Sequence, residues 1–165
     1  MDFLKSLLNS MMSKNERHLA ATLDVILTPA SPYNIDTTCV TTFVIPRDKG
    51  DSSSLGEEVC KKFMEHCFKE RFDKVRPEWL KNPDTGCCLE LDCFNERLKI
   101  AVEYNGRQHY KWPSLPGLTE EEFEKIVKRD KYKRRCCNAY GVKLIIVPYT
   151  VDHELIPMYI IRQLR

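Results

Sequence analysis

The sequence predicts an α/β domain, a mixed β-sheet flanked by helices, with an N-terminal extension of helices and one strand. Three observations lead there. Two apolar-rich runs, residues 89–94 (LELDCF) and 98–104 (LKIAVEY), flank the polar break Asn95-Glu96-Arg97, the pattern of two strands joined by a tight turn. A helical stretch from Thr119 to about Ala139 precedes the nearly continuous apolar run VKLIIV at 142–147, which is what a crossover to a parallel neighbour requires. A further helix opens at Ser54, so the order from there is helix, strand, strand, strand, helix, strand.

In chain order, residues 2–12 place Phe3, Leu4, Leu7, Leu8, Met11 and Met12 at helical spacing. Such a helix packs on its own domain or on a partner chain. A second helix is expected over 15–26, and Pro29 and Pro32 break the pattern. Residues 37–45, TTCVTTFVI, are β-branched and apolar and read as a strand. Ser54, followed three residues later by Glu57, forms a capping-box pattern for a helix ending near Arg71, with Val59, Phe63 and Cys67 on its apolar stripe. Glu57 and Glu58 are either helix-start charges or supply an auxiliary carboxylate to an acidic site. A short strand is expected before Arg76-Pro77, and Pro83-Asp84-Thr85-Gly86 is a turn by composition. Thr119 caps the long helix, the 138–141 stretch stops it, and a short helix is expected over 152–164. The organisation is thus an extension over 1–53 and a main domain over 54–165.

Composition bounds the function classes loosely. A chain of 165 residues with 42% hydrophobic and 30% charged residues can bury a sizeable core as one domain. No apolar run approaches the ~20 residues that span a bilayer, so no membrane role is expected. The first nineteen residues lack the basic start and small-residue cleavage site of a signal peptide. Eight cysteines with no CxxC pair suit reduced, buried thiols in a reducing compartment such as cytoplasm or nucleus. Structural zinc is the weaker reading, using Cys87 or Cys88, Cys93, and Cys136 or Cys137, with His66 as a fourth candidate.

The candidate chemistry sits on the strand pair. Side chains alternate along a strand, so Glu90 and Asp92 share one face of the first run. Ala101, Glu103 and Asn105 share one face of the second, with Ile100, Val102 and Tyr104 on the other. Acids among apolar strand positions are costly to bury unless paired or metal-bound. Asp92 and Glu103 could converge on one Mg²⁺ ion, which takes one or two carboxylates plus water and phosphate oxygens. The Tyr104 carbonyl could add an oxygen, Asn105 could orient water, and Gln108 could touch phosphate. His109 could act as a base or proton donor, and Gly106 would allow a tight exit from the strand. The same spacing also suits a solvated face whose acids pair with lysine or arginine.

A second signal is basic. Lys125, Lys128, Arg129, Lys131, Lys133, Arg134 and Arg135 lie close together on the long helix, with Arg129 and Lys133 four apart on one face. A helix lined this way could neutralise a phosphate backbone through Lys128, Arg129, Lys133 and Arg134. Tyr110, Trp112 and Trp79 could stack on bases, though Trp79 also suits a core.

These residues together resemble the PD-(D/E)xK superfamily of metal-dependent nucleases, also called restriction-endonuclease-like. The branch in question contains the very-short-patch repair endonuclease and small proteins of phages and large DNA viruses. The resemblance runs through SLGE at 54–57, RPEWL at 76–80, LELD at 89–92, AVEYNGRQH at 101–109, Arg129-Asp130 with Lys133, and GVKLIIV at 141–147. It covers roughly residues 54–149. It implies a restriction-endonuclease-like core with a four-stranded mixed sheet, and Mg²⁺-dependent hydrolysis of DNA phosphodiesters, with Mn²⁺ as a substitute. Asp92 and Glu103 are then the metal ligands and Glu57 an auxiliary acid. DNA is the expected partner, beside a homodimer or a larger viral assembly. Leu91 stands where the name-giving proline precedes the aspartate, and Asn105 stands where the motif lysine belongs. Lys133 or Arg129 is the candidate to supply that charge. If neither does, the expectation is an inactive nuclease-fold protein that binds nucleic acid or builds a virion.

Overall fold

The computed structural model of the chain describes residues 32–33, 35, 38–50, 52, 54–114 and 116–165. The helices expected at 2–12 and 15–26 lie outside the described residues.

The expected strand at 37–45 is corrected by the structure. Thr38–Thr42 is a short helix, α1. The Thr41 and Thr42 hydroxyls both donate to the Thr38 carbonyl at 3.0 Å, satisfying the turn locally. Cys39 and Val40 are buried in the main core, so tertiary packing overrides the β-branched composition.

Leu55–Phe68 forms α2, capped as its sequence signals, with the Ser54 hydroxyl accepting from the Glu57 amide. It ends before Arg71 because Lys69 turns left-handed, at φ 55°, and its amide closes onto the Glu65 carbonyl. Gly56 lets α2 lie directly on the sheet: a Cβ there would sit 2.4 Å from the Tyr104 ring.

Asp73–Val75 (β1), Leu91–Asn95 (β2), Ile100–Asn105 (β3) and Lys143–Pro148 (β4) make one sheet in the order β1-β2-β3-β4. The first two pairings are antiparallel and the β3–β4 pairing is parallel. The expected turn between β2 and β3 is present. Buried Asn95 fixes it by accepting from the Leu98 amide and donating to Glu70 and the Arg71 carbonyl. The expected crossover is Glu120–Ala139, α3, with a complete Thr119/Glu122 capping box. Ile156–Leu164 closes the chain as α4. The fold is thus mixed α/β, a four-stranded mixed sheet flanked by helices.

The sheet separates two apolar clusters. Ile100 and Val102 of β3, with Ile145 and Val147 of β4, pack with Val59 and Phe63 of α2 and with the buried side of α4. Ala101 of β3 packs on the other side with Leu80, Leu91, Phe94, and Cys137 of α3. The alternation read from the sequence therefore holds along β3. Along β2 it does not. Leu91 and Phe94, three apart, share the α3-side cluster, and β1 meets β2 with a register shift between Asp73 and Val75. This is a β-bulge flanking Asp92, a device that re-aims a side chain.

All eight cysteines are free thiols. Cys93 lies in the α2-side cluster and Cys137 in the α3-side cluster, so the candidate zinc ligands are not drawn together. His66 instead hydrogen-bonds Thr42 at 3.0 Å and packs on Phe43. Among the described residues no helix is long and apolar enough to cross a membrane.

Candidate functional site

The antiparallel register pairs Cys93 with Val102, and Asp92 and Glu103 are the next residues along the two strands. Residues opposite each other in such a pair project to the same face. Both carboxylates line one cleft of about 410 Å³, between the sheet, the start of α2 and the middle of α3. Of the sequence-predicted residues, Glu57, Asp92, Glu103, Asn105, Gln108, His109, Arg129 and Lys133 all line this cleft. Lys128 and Arg134 do not. Lys128 pairs with Asp84 at 3.3 Å, out on the surface, and Arg134 lines a separate groove with Asn138 and 141–144. Successive helix residues are turned ~100° from one another, so the face that carries Arg129 and Lys133 cannot also carry both of these.

The helix supplies the positive charge that β3 lacks. Asn105 is an amide, buried in β3. From α3 the Lys133 ammonium reaches Glu103 Oε1 at 2.6 Å, with both side chains largely buried. Burial raises the Glu103 carboxyl above the usual range. Lys133 opposes the rise, and nearby Asp92 and Asp130 add to it. Asp92 is likewise raised, by burial first and then by Glu57, against the pull of Lys74 and Lys133. Burial is the first cause of both rises, and the neighbouring lysines offset part of it.

Behind β3, Arg107–His109 forms a single 3-10 turn. The His109 Nδ1 lies 2.6 Å from Asp130 Oδ2 of α3, which fixes the ring and leaves Nε2 as its second polar atom. Gly106 has φ −67° and ψ 175°, extended backbone open to any residue. What glycine provides there is room: a Cβ would meet the Gln108 side chain at 2.5 Å.

Three contributors were not singled out from the sequence. Asp130, quoted only within a motif, holds His109. Arg76 pairs with Glu90, its Nη2 3.0 Å from Oε2, at one side of the cleft. Lys74 of β1 lies within 3.8 Å of Glu57 and within 3.4 Å of both Glu90 and Asp92. Lys74 lies on a strand of only three residues and Arg76 just beyond it, a signal too brief to read from sequence. Tyr110 and Trp112 are exposed beside the site, whereas Trp79 stacks on Tyr140 and meets Phe94 edge-on.

As a metal site the donor set is open rather than closed. Among the described residues no three His, Cys, Asp or Glu side chains are gathered into a metal-holding group. Asp92 and Glu103 beside a cleft fit a hard, hydrated cation that keeps several waters, and they do not make the closed nitrogen and sulfur cage of structural zinc.

The chain is 41% identical over 138 residues to "Uncharacterized protein 307L" of Invertebrate iridescent virus 6, a match covering 74% of this chain and 69% of that protein. It is 44% identical over 111 residues to "Uncharacterized protein 094L" of Frog virus 3 (isolate Goorha), covering 64% and 72%. It is 45% identical over 100 residues to "Uncharacterized protein 033L" of Invertebrate iridescent virus 3, covering 61% and 52%. No family model matches the chain, and no solved structure matches it.

Proposed function

We propose that this protein, which belongs to the family of viral proteins that includes 307L of Invertebrate iridescent virus 6 and 094L of Frog virus 3, is a metal-dependent DNA endonuclease with a restriction-endonuclease-like core. One observation carries the reading. Asp92 and Glu103, from antiparallel neighbours, line a single cleft, and Lys133 of the crossover helix stands 2.6 Å from Glu103. That places a basic side chain beside the second acid although β3 itself offers Asn105. When bound, Mg²⁺ would make a bound water nucleophilic at neutral pH and stabilise charge on the phosphodiester.

The chain's own residues divide the remaining work. Asp92 and Glu103 would hold the ion, with Glu57 supporting from α2. Lys133 sits where it can neutralise charge growing on the scissile phosphate. Asn105, next but one to Glu103 on the same face, orients the attacking water by hydrogen bonding. His109, its Nδ1 held by Asp130, is placed to give a proton from Nε2 to the leaving oxygen. Arg129 and Gln108 contact the flanking phosphates, and exposed Tyr110 and Trp112 offer faces for unpaired bases.

A second reading has its own support. Each central acid already lies beside a lysine, Glu103 beside Lys133 and Asp92 beside Lys74, as in an inactive descendant that only binds nucleic acid or builds a virion. Plasmid nicking separates the two. The wild type should nick supercoiled DNA with Mg²⁺ or Mn²⁺. Asp92→Ala should lose on the order of 10³-fold in rate while still folding. A wild type that cuts no DNA form with either metal leaves the binding module as the account.

A further inference from the structure

Lys74 is the least expected member of the site. Its ammonium stands among three carboxylates from two segments: Glu57 of α2 at 3.8 Å, and Asp92 of β2 and Glu90, just before β2, each at 3.4 Å. We infer that Lys74 is a displaceable internal counter-cation, which neutralises Glu57 and Asp92 while no metal is bound and surrenders that position when a divalent ion arrives. The inference rests on the metal-dependent reading above and concerns how that site is kept ready.

Three features make Lys74, rather than Lys133, the group that leaves. Its side chain is 45% exposed, against 13% for Lys133, so it can swing into water at little cost. Its departure does not strand Glu90, because Arg76 holds that carboxylate through both Nε, at 3.1 Å, and Nη2, at 3.0 Å. Glu57 and Asp92, by contrast, would be met by the ion. An ammonium and a divalent cation compete for these oxygens. Metal–oxygen distances of ~2.1 Å would put the two positive centres only a few ångströms apart at a half-buried site, where repulsion is poorly screened. Once displaced, Lys74 is an unengaged cation close to Asp92, available to phosphate.

Calorimetric titration of Mn²⁺ into the full chain tests this without reference to cleavage. Wild type, Lys74→Met, Lys74→Gln, Lys74→Arg and Asp92→Asn are compared, with melting temperatures to verify folding. Removing the competing charge should tighten Mn²⁺ binding about fivefold in both Lys74→Met and Lys74→Gln, the scale of one exposed ion pair. Lys74→Arg, which keeps the charge, should stay near wild type, and Asp92→Asn should abolish the binding. If wild type binds Mn²⁺ through Asp92 but the two neutral variants bind equally or more weakly, the counter-cation role is overturned and the metal-dependent reading survives. If no variant binds Mn²⁺, both fall together.

Discussion

The two faces of the sheet are built to different specifications. On one face α2 buries Gly56, Glu58, Val59, Cys60, Phe63 and Met64, and α4 adds six more buried positions. On the other, the longer α3 buries Cys137 alone. A helix of 20 residues that buries a single side chain draws little stability from its own packing. It is held by its complete cap and by the strands it joins, and it spends its surface on charge. The contrast teaches where to look: the well-packed face keeps the fold, and the thinly packed face, with Glu103 and Asn105 buried beneath Asp130 and Lys133, is free to carry chemistry.

Substitutions can sharpen or break that contrast. The largest expected effect is on the packed face. Phe63→Ala removes a fully buried ring and should cost ~3–5 kcal/mol in urea unfolding. A cost below 1 kcal/mol would mean that the α2 face is not the structural one. On the charged face the expected sign reverses. Asp92 and Glu103 have raised carboxyl pKa values, so between the ordinary range, about 4, and their raised values the folded chain binds more protons than the unfolded one. Their contribution to stability is therefore present at low pH and lost as pH rises through the raised values. Asp92→Asn should accordingly melt higher than wild type at pH 7, by a few degrees, and should lose part of that pH dependence. A lower melting temperature would show that Lys74 stabilises the carboxylate more than burial and Glu57 oppose it. The smallest effect concerns DNA. Arg129→Ala should lower the salt dependence of DNA binding by about one phosphate contact, and Lys128→Ala, already paired with Asp84, by less. Neither should move stability by more than ~0.5 kcal/mol.

Much of this was legible because it rests on period and capping. The two-residue alternation of IAVEYN placed Glu103 and Asn105 opposite Val102, and the Thr119 cap fixed where α3 begins. The signals that failed are those set by the tertiary environment. TCVTT at 38–42 has strand composition, but its hydroxyls close a local turn and its apolar pair is drawn into the α2 core. The bulge at Asp92 leaves no trace in composition. Lys74 belongs to a strand of three residues, too short for any period to emerge. Which basic residues of α3 face the cleft depends on how the helix is rolled on the sheet. The run of like charges conceals that roll, and only the buried Cys137 reveals it.

The crossover through α3 has a consequence for how this family can vary in length. Glu103 and Lys133 meet only because the chain leaving β3 returns along its own sheet before entering β4. The segment at 110–118 precedes the helix, so an added residue there leaves the phase of α3 unchanged. Within 120–132 one inserted residue would rotate everything after it by ~100° and carry Lys133 away from Glu103. Insertions and deletions among functional relatives should therefore gather ahead of the helix, and those within it should come in multiples that restore its phase.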